Sequence, residues 1–212
     1  MAPGLPILYA DEHLLVFDKP AGLLSVPGKG VEHQDCLSAR AQAQWPDALV
    51  VHRLDMATSG VIAMARGLPA QRALSAAFEH RHTAKHYVAL VHGHLGAPGE
   101  SGRIDWPLLV DWLNRPRSRV SFQGGKPSET RWTVSHTPSP LPGTTRVELD
   151  PVTGRSHQLR VHLMALGHPI VGDPLYGPQP PQASRLMLHA ERLALSHPTQ
   201  YQTMTFVAPS PF

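Results

Sequence analysis

The sequence predicts an α+β fold built on a largely antiparallel sheet, and two observations carry that expectation. Segments with strand character outnumber segments with helical periodicity. Adjacent strand segments are mostly joined by short loops, whereas a doubly wound parallel sheet needs a helical crossover between each pair. At 212 residues the chain predicts one well-buried domain spanning 1–212. Hydrophobic residues at 42% against 17% charged are an ordinary soluble composition, not that of a disordered chain.

Each element has a local reason. In "ILYADEHLLVFDKPAGLLSVPG" two β-rich runs flank Asp11-Glu12, the pattern of a hairpin, and Pro20 and Gly22 end the second run. "DCLSARAQAQW" predicts a helix from Asp35 to about Trp45, opened by a capping residue and stopped by Pro46. "VVHRLDMATSGVIAMAR" reads as a strand, an Arg-Leu-Asp corner, a Thr-Ser-Gly turn and a second apolar strand. "LPAQRALSAAFEHR" has Pro69 near a first helical turn and apolar Leu74, Ala77 and Phe78, an amphipathic helix that leads into the strand "KHYVALVHG".

From about residue 93 to 128 the chain is rich in Gly, Pro and Arg with little periodicity, which predicts exposed, basic loops around short strands. "ETRWTVSHT" and "TTRVELDPV" are two strands joined across "PSPLPG". "SHQLRVHLMALGHP" is a short amphipathic helix with Ser156 as its N-cap, ended by Gly167 and Pro169. "RLMLHAERLALSHP" and "YQTMTFVAP" supply two more strands.

Composition narrows the function. The single cysteine, Cys36, excludes an intramolecular disulfide framework and a Cys-based zinc ribbon, and is expected to be a buried, inert thiol. No run approaches the ~20 apolar residues of a membrane span. "MAPGLPILYADEH" lacks a basic region followed by an apolar one, so a cytoplasmic, membrane-free protein is expected. The net charge is only +3, but 15 of the 19 basic residues are arginine, the side chain that forks onto phosphates and stacks on bases. Charge alone leaves the partner open.

Three stretches could carry chemistry. The 14 histidines suggest metal, yet His82 and His86 lack an H-E-x-x-H frame, and His157 and His162, five apart, fall on different sides of a helix, so no metal site is expected. "GKG" at 28–30 does not fit a P-loop. In "HRLDMATSG", strand alternation would send Arg53 and Asp55 to one side and Leu54 to the other, with Thr58, Ser59 and Gly60 turning to hold the Asp55 loop. A surface Arg-Asp pair in a turn is the equal alternative. "TGRSHQLRVHL" gathers Arg155, His157, Gln158, Arg160 and His162 at a helix start, where an anion is favoured. Arg160 lies among Leu159, Val161 and Leu163 and needs a buried acidic partner, for function or as a structural ion pair.

"HRLDMATSGVI", "KHYVALVHG" and "TGRSHQLRVHLMALGHPIVGDPLYG" together resemble the three signature segments of the RluA-type pseudouridine synthases, from about Ile7 to the C-terminus. "GLLSVPGK", "DWLNRP" and the lack of room for an N-terminal S4 RNA-binding domain are similar to the branch that acts on both tRNA and 23S rRNA. The resemblance implies the pseudouridine synthase fold, a mixed, mostly antiparallel sheet with flanking helices and a central RNA-binding cleft. It implies that Asp55 is the catalytic aspartate, that Tyr87 lies against the uracil, that Arg160 pairs with Asp55, and that Leu188 forms an apolar wall.

An RNA isomerase of this kind needs no cofactor, nucleotide or metal, because uridine and pseudouridine have the same composition and oxidation state. Arg53 is then expected to fill the space left by a flipped base or to bind an adjoining phosphate. Arg115, Arg117 and Arg119, with Lys126 beside them, are expected to contact phosphates, as are Arg155 and His157. The expected partner is RNA, from tRNA, 23S rRNA or both, and the expected state is a monomer. Three rivals remain at this point: a non-catalytic RNA-binding domain of the same fold, a glycosidic hydrolase, which would want a second positioned carboxylate, and a His-based metalloenzyme.

Overall fold

The computed structural model of the protein describes residues 4–212. Its elements in chain order are β1 (Ile7–Ala10), β2 (Leu14–Lys19), α1 (Leu37–Gln44), β3 (Ala48–Val50), β4 (Ser59–Arg66), α2 (Gly67–Glu79), β5 (Ala84–His92), β6 (Ser101–Ile104), β7 (Leu108–Val110), β8 (Ser118–Val120), β9 (Thr130–Val134), β10 (Thr144–Pro151), α3 (Gln158–Ala165), β11 (Leu188–Ser196) and β12 (Thr203–Val207). The ladders β1–β2, β2–β4, β3–β4, β5–β10, β9–β10, β6–β9, β7–β8 and β11–β12 are antiparallel, and short loops join the strands of β1–β2, β3–β4, β7–β8, β9–β10 and β11–β12. The chain divides into two compact units, one running to Lys85 and resumed by Ala190–Pro211, the other His86–His189 with Phe212.

In the first unit the strands run β1-β2-β4-β11, with β3 also on β4 and β12 on β11. β2 and β4 are covered on both faces: Leu14, Leu15, Val16 and Phe17 are all fully buried, and so is nearly every residue from Val61 to Ala65. That is why "LLVF" and "VIAMA" are continuous apolar runs rather than alternating ones. One face packs α2 through Ala70 and Leu74, four residues apart on one side of the helix, beside Leu193, Leu195 and Phe206. Burying Leu74 alone contributes about 1.5–3 kcal/mol. Phe17 meets Trp45, at the end of α1, edge-on at 6.0 Å.

In the second unit β5-β10-β9-β6 form the sheet, with Tyr87 opposite Leu149 and Ala89 opposite Val147. β7 and β8 form a separate hairpin. The basic middle of the chain is thus short strands and exposed loops, as its composition predicts. Helix α3 is buried along Gln158–Leu163, so its three polar residues there need internal partners.

Three local expectations are corrected. Cys36, not Asp35, caps α1: its thiol accepts the Ala39 N–H, while Asp35 leaves the cap to hold Arg40. The strand before the Arg-Leu-Asp corner ends at Val50, and Ser59 and Gly60 already belong to β4, so the turn is Asp55–Thr58, closed by Thr58 N–H to Asp55 C=O. Ser156 does not cap α3; the position is taken by His157, whose backbone is left-handed at φ 56 and ψ 20.

Candidate active site

In the first unit the Asp55 segment is clamped from the Pro20–Ser25 loop. Ser25 Oγ donates to Leu54 C=O at 2.7 Å and accepts Leu54 N–H at 3.1 Å. Met56 C=O accepts Gly22 N–H at 2.8 Å and Lys19 Nζ at 3.2 Å. Lys19 is fully buried, and its ammonium also donates to Leu23 C=O at 2.7 Å and Pro20 C=O at 3.0 Å. A buried ammonium needs such oxygens, and here they belong to both loops, so the cation crosslinks them. Arg53 is exposed, Leu54 is buried and Asp55 is half-buried, so the alternation expected of a strand persists in a loop.

His52 supports this corner without titrating. Its Nε2 accepts the Ala63 N–H at 3.0 Å, which requires a neutral ring, and the ring stacks on Phe78 at 4.2 Å. Burial first, and the Lys85 charge second, push its pKa down to about 3. At the start of β4, Gly60 has φ 112, and a Cβ there would lie 2.2 Å from Ala190 C=O. Only glycine allows the Asp55 turn to feed into the sheet at that point.

In the second unit the signature helix carries a closed polar network. Arg160 forks onto Asp173, Nε to Oδ2 and Nη2 to Oδ1, both at 2.8 Å, and both side chains are almost wholly buried. Asp173 Oδ1 also accepts the N–H groups of Leu175 and Tyr176. The Arg160 guanidinium lies 5.1 Å over the Tyr176 ring. Tyr176 Oη accepts Ser118 N–H at 2.7 Å and is hydrogen-bonded to His157 Nδ1 at 2.8 Å. That bond helps hold His157 in its left-handed conformation.

Gln158 and His162 complete the network. Gln158 accepts from Thr153 and from Arg155 N–H, and donates to Thr130 Oγ1 and Glu129 C=O. Trp106 C=O can only accept, so His162 Nε2 carries the proton and Nδ1 takes the Thr130 hydroxyl. Burial lowers the pKa of His162 accordingly. Arg155 donates Nε to Pro127 C=O.

Of the residues expected from the sequence, Arg53 and Asp55 lie in the first unit. Tyr87 on β5, half-buried, and Leu188 at the start of β11, buried, lie in the second. There the structure gathers His157 and Arg160 on Tyr176 and leaves Arg115, Arg117 and Arg119 exposed on and beside the β7–β8 hairpin. Lys19, Ser25, Asp173 and Tyr176 were not anticipated. Asp173 and Tyr176 lie inside the quoted "GDPLYG", and a buried Arg160 asks for a carboxylate, so the signal was present. Nothing local marks Lys19 as buried. Among the described residues no group of three His, Cys, Asp or Glu can hold a metal, and no helix is long and apolar enough to cross a membrane.

Residues 13–165 match the family model described as RNA pseudouridylate synthase. The chain is 50% identical over 212 residues to the dual-specificity RNA pseudouridine synthase RluA of Escherichia coli K12, covering 99% of this chain and 95% of that protein. It is 47% identical to the RluA of Yersinia pestis, over 97% of this chain and 99% of the relative. Among solved structures, human RNA pseudouridylate synthase domain containing 1 superposes with a TM-score of 0.80 at 30% identity, covering all of this chain and 87% of that one.

Proposed function

Because this chain belongs to the RNA pseudouridylate synthase family, we infer that it is an RNA pseudouridine synthase, an isomerase acting on uridines in RNA. The near-full-length kinship with enzymes of that activity carries this reading, and it leaves the non-catalytic RNA-binding alternative without support. The reaction breaks the N1–C1′ bond of uridine, turns the base and forms a C5–C1′ bond. The C5 hydrogen leaves as a proton and N1 gains one. Atoms and electrons balance without oxidant, reductant or group donor.

We assign Asp55 as the carboxylate that starts the reaction, Tyr87 as the aromatic face against the turning uracil, and Leu188 as an apolar wall. A carboxylate beside a buried base tends to hold its proton, and a guanidinium offsets that tendency. Arg160 is the candidate for that role, and the Asp173 fork that orients it supports the reading. Arg53 takes the space of the flipped nucleotide or a phosphate next to it. Arg155, His157, Arg115, Arg117 and Arg119 contact the RNA backbone.

The proposed substrates are a tRNA anticodon stem-loop and a 23S rRNA stem-loop, modified in the cytoplasm by a monomer. RNA labelled with tritium at uridine C5 tests the activity. Wild-type protein should release the label without freeing uracil, and Asp55→Asn should abolish release while still binding RNA. Free uracil would make the protein a hydrolase instead. Mapping modified uridines in tRNA and 23S rRNA with and without the protein tests the substrates.

A further inference from the structure

The tip of the β7–β8 hairpin carries large apolar side chains in water. Trp112 is 68% exposed and Leu113 96%, with Val110 beside them at 42%. The loop that bears them is rigidly built. Asp111 N–H donates to Arg117 C=O, Arg117 N–H to Asn114 C=O and Asn114 N–H to Asp111 C=O, while Asn114 Nδ2 donates to the Asp111 carboxylate at 2.9 Å. The root is equally tied. Leu108 and Lys126 exchange both backbone hydrogen bonds, Trp106 C=O accepts from buried His162, and Ser118 N–H donates to Tyr176. Holding a tryptophan out of the core on such a frame loses the benefit of burying it, unless something else covers the ring.

The charge around it selects the occupant. Arg115 lies over the Trp112 ring at 4.3 Å, and Arg115, Arg117 and Arg119 are all exposed. Among the described residues none of the three is within ion-pair distance of a carboxylate; the one carboxylate in the loop, Asp111, is hydrogen-bonded by Asn114, with the Arg119 charge acting on it from farther off. An aromatic ring backed by a guanidinium and flanked by two more is the arrangement that stacks a nucleobase while the cations meet the phosphates on either side.

We propose that Trp112, backed by Arg115, is a stacking platform for an unpaired base of the RNA substrate, and that this hairpin grips the loop of a stem-loop rather than its duplex stem. The inference rests on the RNA-modifying activity inferred above. Stacking needs an open π-face, which paired bases in a duplex do not offer.

The test compares wild type, Trp112→Ala and Trp112→Phe by tritium release from a uridine-containing stem-loop RNA, with thermal unfolding measured alongside. Trp112→Ala should raise KM about fivefold to 150-fold, with kcat within about twofold of wild type and an unchanged Tm. Trp112→Phe should restore most of the loss, because an aromatic face suffices. The dependence of log KM on log salt should keep its wild-type slope in Trp112→Ala, since stacking releases no counterions, whereas Arg117→Ala should lower the slope by about one. An unchanged KM in Trp112→Ala overturns the proposal, as does a loss that phenylalanine fails to rescue. An oligomer of the wild type that dissociates in Trp112→Ala while KM holds would assign the face to a second copy of the chain. No release from any RNA by wild type would refute the activity itself, not the platform.

Discussion

Asp55 and Asp173 are two carboxylates with opposite duties. Asp173 is buried, bonded through both oxygens to Arg160 and capped by two backbone N–H groups. Removing it would strand a buried guanidinium, so Asp173→Ala should cost about 3–5 kcal/mol of folding stability, read by urea unfolding. Asp55 is half-buried in a loop held by its neighbours' backbones, not by its own carboxylate alone. Asp55→Asn should therefore change stability by less than about 1 kcal/mol while turnover disappears. A large loss of stability in Asp55→Asn would make it a structural anion. Arg53, exposed one residue before buried Leu54, is free to meet a ligand. Arg53→Ala should lower turnover on a folded stem-loop more than on a loose single strand, since only the folded RNA must release its uridine from a stack. Equal losses on both substrates would reject that role.

At the scale of elements, the Asp55 corner is a product of two loops and the first residues of a strand. The Pro20–Ser25 loop supplies the hydroxyl and amide that fix Leu54 and Met56, Lys19 ties both together, and β4 begins where the turn ends. Gly60 is the tightest point of this assembly. Gly60→Ala would place a methyl carbon 2.2 Å from Ala190 C=O on a backbone at φ 112. The strand must shift or the turn must open, so a loss of more than about 2 kcal/mol in stability is expected, with turnover falling further as the aspartate moves. Wild-type stability and activity in Gly60→Ala would disprove the clamp. Helix α3 makes the complementary point: its Gln158, Arg160 and His162 are all satisfied by residues outside the helix, which is why a polar stripe survives inside a buried helix.

Across the whole molecule, the first unit is discontinuous in sequence, and Asp11 joins its two stretches. Burial opposes the charge on Asp11, but hydrogen bonds from His13 N–H, Tyr9 O–H, Leu14 N–H and His197 outweigh it and draw the pKa from 3.8 to about 2. A carboxyl whose pKa falls on folding binds its proton more readily when unfolded. Its stabilisation is therefore complete above pH 4 and fades as pH falls toward 2. Asp11→Asn should be less stable than wild type at pH 6, with the difference shrinking toward pH 2; a pH-independent difference would contradict the linkage. Much of this architecture is legible in the residues alone. Apolar runs, Pro and Gly breaks and short connections determined the antiparallel α+β plan, because each acts through nearby backbone preferences, and three signature segments pointed to the chemistry. Only the tertiary structure decided that Cys36 caps α1, that His157 opens α3 with a left-handed backbone, that Lys19 is buried against carbonyls, and that Asp173 holds Arg160. The burial of Lys19 and the choice of Asp173 depend on which distant atoms arrive beside a cation when it leaves water, and the two caps on which of several neighbouring residues packing places at the helix start.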